Sequence, residues 1–159
     1  MNLQPSNPAC DVDARSLTIY GILAGTNIST LDGTLPVEYL SPGDRIVTRS
    51  GAARLVALSS QMLRMAEVVL ISASTLGYDR PEVDLFLAPE QQVIIRDWRA
   101  RVMFGVAAAA IPARRLVDGQ FVQLRTLAEA RFFTLRFETE EVVYAEGLEI
   151  ACARATVEA

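Results

Sequence analysis

The chain has 159 residues, a net charge of -4, a pI of about 4.9 and a mean hydropathy of +0.25. This length suits one domain that buries roughly 70% of its unfolded surface, and the acidic balance argues against a nucleic-acid partner. The sequence contains neither His nor Lys, which excludes Ser-His-Asp triads, nearly all zinc-enzyme sites and lysine catalysis.

The first predicted segment is residues 1–15, a polar, proline-bearing and poorly ordered lead-in to a domain at residues 16–155. It has no basic region and no apolar run, so we expect no signal peptide. No stretch approaches the ~18 apolar residues of a membrane span, so no membrane partner is expected. The location stays unknown, cytoplasmic by default, with signal-less secretion possible.

Short apolar runs separated by turn residues follow along the rest of the chain. Turn signals such as Asp32-Gly33 and Pro42-Gly43 recur at a spacing of about ten residues, which is typical of an all-β domain. We predict strands at residues 17–22, 45–48, 54–58, 67–72, 83–87, 92–96, 120–124, 131–137, 141–144 and 148–151. In the run 131–137, alternation places Phe133, Leu135 and Phe137 on one face.

Little helix is expected. Single turns are predicted at residues 37–40 and 113–116, and residues 61–66 are a third candidate. The apolar run 102–111 contains Gly105 and ends at Pro112, so we interpret it as a core or loop segment rather than a membrane span.

One pattern occurs twice in the chain. Residues Pro36, Leu40, Gly43 and Ile46 have the same spacing as Pro112, Leu116, Gly119 and Val122. Both copies read as a proline, one helical turn, a glycine turn and a strand. The repeat indicates two similar halves.

The segment 25–48, GTNISTLDGTLPVEYLSPGDRIVT, resembles the first block of the Hint domains, the fold shared by inteins and hedgehog autoprocessing domains. Segments 87–95 (LAPEQQVII), 111–119 (IPARRLVDG) and 145–148 (AEGL) resemble later blocks. The resemblance covers roughly residues 16–151. It implies an all-β, Hint-like fold of two β-subdomains related by a pseudo-twofold axis, with short strands and one or two short helices.

The resemblance also implies where the chemistry of the family would stand. Active Hint domains place a Cys or Ser four residues before the Gly-Thr pair and a His in the middle block; here those positions hold Gly21 and Gln91. Cleavage needs a nucleophile and a proton donor at one amide. We therefore expect no catalytic residue, with Thr26 and Asp44 as neighbours of an emptied pocket.

Two hypotheses follow from this reading. The first is an inactive Hint-like domain that serves as a structural or binding module for an unknown protein or peptide. The alternative is a self-cleaving domain with a nonstandard nucleophile, for which the candidates are Cys10, Ser16, Thr18, Thr26 and Ser29.

Other polar groups give weaker signals. Trp98, flanked by cations, is either a binding residue or a partly buried anchor. The acidic run 138–141 reads as a solvated edge rather than a cation site, and no metal or cofactor is expected. Cys10 and Cys152 read as two idle thiols, with a disulfide between them left open.

Overall fold

The structure, a computed structural model, describes residues 20–77 and 80–155. The described chain is all-β, as predicted: twelve strands, one α-helix and two turns of 3-10 helix. The strands are β1 (Ile22–Leu23), β2 (Asn27–Thr30), β3 (Gly33–Pro36), β4 (Arg45–Thr48), β5 (Gly51–Arg54), β6 (Ala57–Ile71), β7 (Leu85–Leu87), β8 (Gln92–Ile95), β9 (Ala109–Pro112), β10 (Val122–Arg136), β11 (Glu141–Ala145) and β12 (Leu148–Cys152). The helix α1 is Trp98–Phe104, and the 3-10 turns are Val37–Tyr39 and Ala113–Leu116.

A long two-stranded ribbon is the central element. Strands β6 and β10, of 15 residues each, pair antiparallel from Ile71 opposite Val122 to Ala57 opposite Arg136. With β1 and β7 they close a small barrel in the order β1-β10-β6-β7. The second sheet has the order β3-β2-β4-β11-β12-β8-β9, with β5 on β4.

The predicted repeat is present as a structural repeat. Pro36 and Pro112 end β3 and β9 with φ/ψ of -58/144 and -58/138, and each precedes a 3-10 turn. Gly43 and Gly119 follow with positive φ, 99 and 81, before β4 and β10 begin. The two halves thus share one local chain path.

Hydrogen bonds extend this correspondence into the region of interest. The Val37 amide donates to the Thr26 carbonyl at 2.8 Å, and the Ala113 amide donates to the Gln91 carbonyl at 2.9 Å. Thr26 and Gln91 therefore occupy equivalent positions in the two halves.

One main hydrophobic core spans both halves. It contains residues from both ends of the ribbon, including Ile71, Val122, Leu135 and Phe137. Phe133, Leu135 and Phe137 are all buried in it, as the alternation predicted, whereas Phe132 faces a smaller cluster with Ala66, Val68, Ala88 and Ala130.

The structure corrects three predictions. Residues 61–66 are not helical but lie inside β6, where pairing with β10 replaces helical hydrogen bonds. Residues 98–104 form a helix that the sequence did not predict, and it overlaps the start of the run 102–111, whose end is β9. The predicted strand 54–58 is interrupted, because Leu55 turns inward and its amide donates to the Asp44 carbonyl at 2.8 Å.

Some predictions lie outside the described residues, namely the lead-in 1–15, Cys10, Ser16 and Thr18. No helix in the described part of the chain is long and apolar enough to cross a membrane.

Candidate functional site

Gly21 immediately precedes β1 and is fully enclosed by β10. Its φ is +133, a value that side-chain-bearing residues rarely adopt. A Cβ added at this position would lie 2.9 Å from the Phe133 carbonyl oxygen and 3.1 Å from the Phe132 Cβ. Both backbone conformation and space therefore require glycine here.

Gln91 lies directly against Gly21. Its side-chain Oε1 accepts a hydrogen bond from the Gly21 amide at 2.9 Å. Its Nε2 donates to the Ala151 carbonyl at 2.8 Å and to the Gln92 carbonyl at 3.2 Å. The residue is only 5% exposed, and because a donor lies on one side and acceptors on the other, the orientation of the amide is fixed.

Local structure places Gln91 at this point. The turn after Ala88 closes with the Gln91 amide donating to the Ala88 carbonyl at 3.0 Å. The Ala113 amide then holds the Gln91 carbonyl. The backbone of residue 91 is thus fixed from both sides, and its side chain is directed to the Tyr20–Gly21 peptide.

The same peptide is held from its other side. The Thr134 hydroxyl donates to the Tyr20 carbonyl at 3.4 Å. In the next peptide, the Ala88 amide donates to the Gly21 carbonyl at 3.0 Å. An amide held this way has partners for both its N–H and its C=O. None of these partners is an acid or a nucleophile of useful reactivity at neutral pH.

A cleft of about 570 Å³ adjoins this peptide. Its walls come from the ends of β10 and β12, from the start of β8, and from the turn before β11. Residues that line it include Tyr20, Gln91, Thr134, Arg136, Glu140 and Cys152. The region around Gly21 and Gln91 is therefore beside an open cleft rather than inside a collapsed core.

Cys152 is the one described cysteine, and its thiol is buried. Burial raises the pKa of this thiol to about 12, since a thiolate would lose its hydration there. The nearby Arg136 lowers the pKa and Glu141 raises it, but both effects are smaller. At neutral pH the group is a neutral thiol, which is a poor nucleophile.

Other sequence-predicted site residues lie elsewhere. Neither Thr26 nor Asp44 lines the cleft. Thr26 is buried, and Asp44 accepts a hydrogen bond from the Ser41 amide at 2.8 Å within its turn. Glu38 accepts from the Gly25 amide at 2.7 Å, and Ser29 lies in β2.

Trp98 begins α1 and is 63% exposed, so it is not a buried anchor. Asp97 caps the helix by accepting from the Arg99 amide at 2.9 Å, and Gly105 ends it in the left-handed conformation. The Arg99 guanidinium lies 4.9 Å from the Trp98 ring centroid. Ala100 is the only residue of the helix that is buried.

The described residues contain no group of three or more Cys, Asp or Glu side chains that could hold a metal ion. In the acidic run, Glu141 accepts hydrogen bonds from the hydroxyls of Ser50 and Thr139, each at 2.9 Å.

Two similar β-halves joined by the β6–β10 ribbon form an intein-like fold, as the solved structures below agree. The family model of the Hint domain matches residues 20–154. The chain therefore belongs to the Hint domain family.

Solved structures agree on the fold. The gp41-1 intein matches with a TM-score of 0.51 and 9% identity over 86% of this chain and 100% of its own. The bacterial intein-like domain from Clostridium thermocellum matches with a TM-score of 0.54 and 14% identity, over 86% of this chain and 100% of its own. The TvoVMA intein matches with a TM-score of 0.59 and 10% identity, over 83% of this chain and 96% of its own. At such identities the likeness shows the fold alone. Among curated proteins, none matches the sequence.

Sequence reasoning placed Gly21 and Gln91 in one site but missed Thr134, Ala151 and Cys152. The alternating strand 131–137 contained Thr134 on the face opposite Phe133 and Leu135, and no local signal connected it to residue 20. The contact depends on β10 crossing beside β1, which only the three-dimensional pairing reveals.

Proposed function

We propose that this Hint domain is catalytically silent and serves as a binding module. The observation that carries the proposal is the hydrogen bond from the Gly21 amide to Gln91 Oε1. In active relatives, as the resemblance implies, the equivalent amide nitrogen must be protonated as it leaves. A carboxamide oxygen takes a hydrogen bond from this nitrogen and has no proton to give.

The attacking group is missing on the same peptide. Gly21 has no side chain, and its surroundings leave no space for one. Without a nucleophile and without a proton donor, cleavage of this peptide bond keeps the activation barrier of an uncatalysed amide.

A second candidate function is self-cleavage by a nonstandard nucleophile. Two observations favour it: Cys152 and Thr134 line the same cleft as the Tyr20–Gly21 peptide. The raised pKa of the Cys152 thiol weighs against it, as does the absence of a His that could activate the Thr134 hydroxyl.

Intact mass spectrometry separates the two candidates. We expect the purified chain to keep its mass of 17.4 kDa during prolonged incubation with dithiothreitol or hydroxylamine, which release thioesters and esters. Fragments 1–20 and 21–159 would contradict the silent assignment. In that case Cys152→Ala and Thr134→Val, compared with Cys152→Ser, would identify the attacking atom.

The surface we propose for partner binding is α1 with the chain that follows it. Trp98, Val102, Phe104 and Val106 are each more than 40% exposed there. Exposed apolar side chains beside arginines are typical of interface centres. We define these four residues, with Arg101 and Arg115, as the α1 surface.

Charge selects an acidic partner for this surface. Arg99 and Arg114 are paired with Asp97 and Glu90. Arg115 lies 5.5 Å from the Phe104 ring centroid, and neither it nor Arg101 has a carboxylate partner among the ion pairs of the described residues. We propose that the partner of the α1 surface is a protein segment in which Asp or Glu alternates with large apolar residues.

The single tryptophan of the chain reports on this surface. A synthetic peptide alternating Asp or Glu with Leu or Phe should shift the Trp98 emission to shorter wavelength, and the Asn/Gln version of the peptide should not. The pair Arg101→Glu and Arg115→Glu should weaken binding, whereas Arg125→Glu on β10 should not. An equal emission shift with both peptides would contradict the acidic-peptide assignment. So would a shift that appears with anionic lipid vesicles but with neither peptide.

A further inference from the structure

Three arginines from separate segments surround one buried carboxylate. Glu149, in β12, has a side chain that is 7% exposed. Arg49 lies between β4 and β5, Arg80 precedes β7, and Arg96 follows β8. None of the four side chains is among the residues that line the cleft beside Gly21.

The three guanidinium groups contact the carboxylate unequally. Arg96 binds it through two hydrogen bonds, with Nε at 2.5 Å from Oε1 and an Nη nitrogen at 3.1 Å from Oε2. Arg49 Nε lies 3.8 Å from Oε2, and an Nη nitrogen of Arg80 lies 4.0 Å from Oε1. The last two distances are ion-pair contacts without hydrogen bonds.

Counted over the described residues, the charges of this cluster do not balance. Three guanidinium groups and one carboxylate leave a net charge of +2 (three minus one) in a chain whose total is -4. Among the described ion pairs, no other carboxylate meets these arginines. Tyr144 lies opposite Glu149 on β11.

The two loosely held arginines remain available to a ligand. The side chains of Arg49 and Arg80 are 46% and 48% exposed, and within the described part of the chain neither has a side-chain hydrogen bond. Each approaches one oxygen of the Glu149 carboxylate, so the two guanidinium groups lie around the same carboxylate. Arg96, fixed by its two hydrogen bonds, forms the base of the region around that carboxylate.

We propose that Arg49, Arg80 and Arg96 form a binding site for a phosphate group. A phosphate monoester carries about -1.5 to -2 charges at pH 7, which matches the excess of +2. Guanidinium forks bind such oxyanions through paired hydrogen bonds, and Arg keeps its charge at all relevant pH values. Glu149 orients Arg96 and limits the excess charge. The site is independent of whether the domain cleaves itself.

The test uses the full chain and the Nε–Hε NMR signals of its arginines. Titration with sodium phosphate or sulfate, at constant ionic strength so that screening is fixed, should give saturable shifts at Arg49, Arg80 and Arg96. Acetate, with one charge, should bind more weakly. Because a hydrogen bond to a charged group is worth several-fold in affinity, Arg49→Gln and Arg80→Gln should each weaken phosphate binding about fivefold or more.

Matched variants keep the test decisive. Arg125→Gln removes an exposed arginine of β10 that is bonded only to Gln123 among the described residues, and it should leave the affinity unchanged. Glu149→Gln should strengthen binding because the cluster then carries a charge of +3. Absence of saturation, equal binding of acetate and phosphate, or equal weakening by Arg125→Gln would overturn the proposal.

Two sources could supply the phosphate. An acetylated, amidated Ala-phosphoserine-Ala peptide is compared with inorganic phosphate. Tighter binding of the peptide would assign the site to a phosphorylated partner, and tighter binding of the inorganic ion would assign it to free phosphate. If neither ligand gives saturable binding, the phosphate-site proposal is wrong. The proposal that the domain is catalytically silent is unaffected by that result, because intact mass spectrometry tests it separately.

Discussion

The side-chain amide of Gln91 joins three distant parts of the chain. It connects residue 21, residue 91 and residue 151 through one buried and one partly buried hydrogen bond. Such bonds add only about 1 kcal/mol each, but leaving their backbone partners buried and unpaired costs more. Gln91 therefore links separate segments of the fold at a position where the resemblance implies chemistry.

We predict that Gln91→Ala destabilises the domain by about 2–4 kcal/mol, because the Gly21 amide and the Ala151 carbonyl both lose a partner. Urea unfolding followed by circular dichroism measures the change. The control is Gln92→Ala, whose side chain is exposed, and which should cost less than about 0.5 kcal/mol. Equal costs for the two variants would show that the amide network contributes nothing.

At the scale of elements, the turn between the second 3-10 helix and β10 depends on Asp118. One carboxylate oxygen, Oδ1, accepts from the amides of Gln120, Phe121 and Val122, each at 2.9 Å. The hydrogen bonds to Val122 and Gln120 are the main reason that the pKa of Asp118 is lowered. Asp44, in the equivalent turn of the first half, accepts from the Ser41 amide.

A lowered pKa makes the contribution of Asp118 dependent on pH. The stabilisation is fully present above the ordinary pKa of an aspartate, about 3.9, and is lost as the pH falls through the lower folded value. We predict that Asp118→Ala is less stable than the wild type at pH 7 and that this difference shrinks below about pH 4. Thermal unfolding at several pH values measures it.

Asp44, an aspartate in the corresponding turn of the first half, provides the control for this prediction. Asp44→Ala removes a carboxylate with one such hydrogen bond rather than three, so its effect at pH 7 should be smaller. A pH-independent difference for Asp118→Ala would contradict the charge-assisted nature of its bonds.

Helix α1 shows why an element could escape prediction. The segment 97–105 has an Asp cap and a terminal glycine, both standard signals, but its apolar residues have no buried face beyond Ala100. Periodicity identifies helices by the face they bury. A short helix that presents its apolar side chains to solvent therefore lacks the usual pattern.

At the scale of the whole molecule, the β6–β10 ribbon makes the two halves one cooperative unit. Residues from both ends of the ribbon pack into the same core as residues of the other strands. Unfolding one half would expose core residues of the other. The domain should consequently unfold in one transition.

Substitutions at opposite ends of the ribbon test this cooperativity. We predict that Ile71→Ala and Leu135→Ala, both at buried positions, each cost about 2–5 kcal/mol while the transition stays single by fluorescence and circular dichroism. The control Leu124→Ala, at a side chain that is 49% exposed, should cost clearly less. Two separate transitions in either core variant would show that the halves unfold independently.

The sequence by itself determined the fold class, the repeat and the two central positions of the site. Turn spacing, the proline-to-glycine pattern and strand alternation are local signals, and they indicated the paired 3-10 turns and the face of Phe133. The resemblance to the Hint domains pointed to Gly21 and Gln91. Only the tertiary structure decided which atoms meet: Gln91 with Ala151, Thr134 with Tyr20, and three arginines with Glu149. These contacts join residues far apart in the chain, and their geometry depends on strand register and on the crossing of the ribbon. No local pattern encodes them.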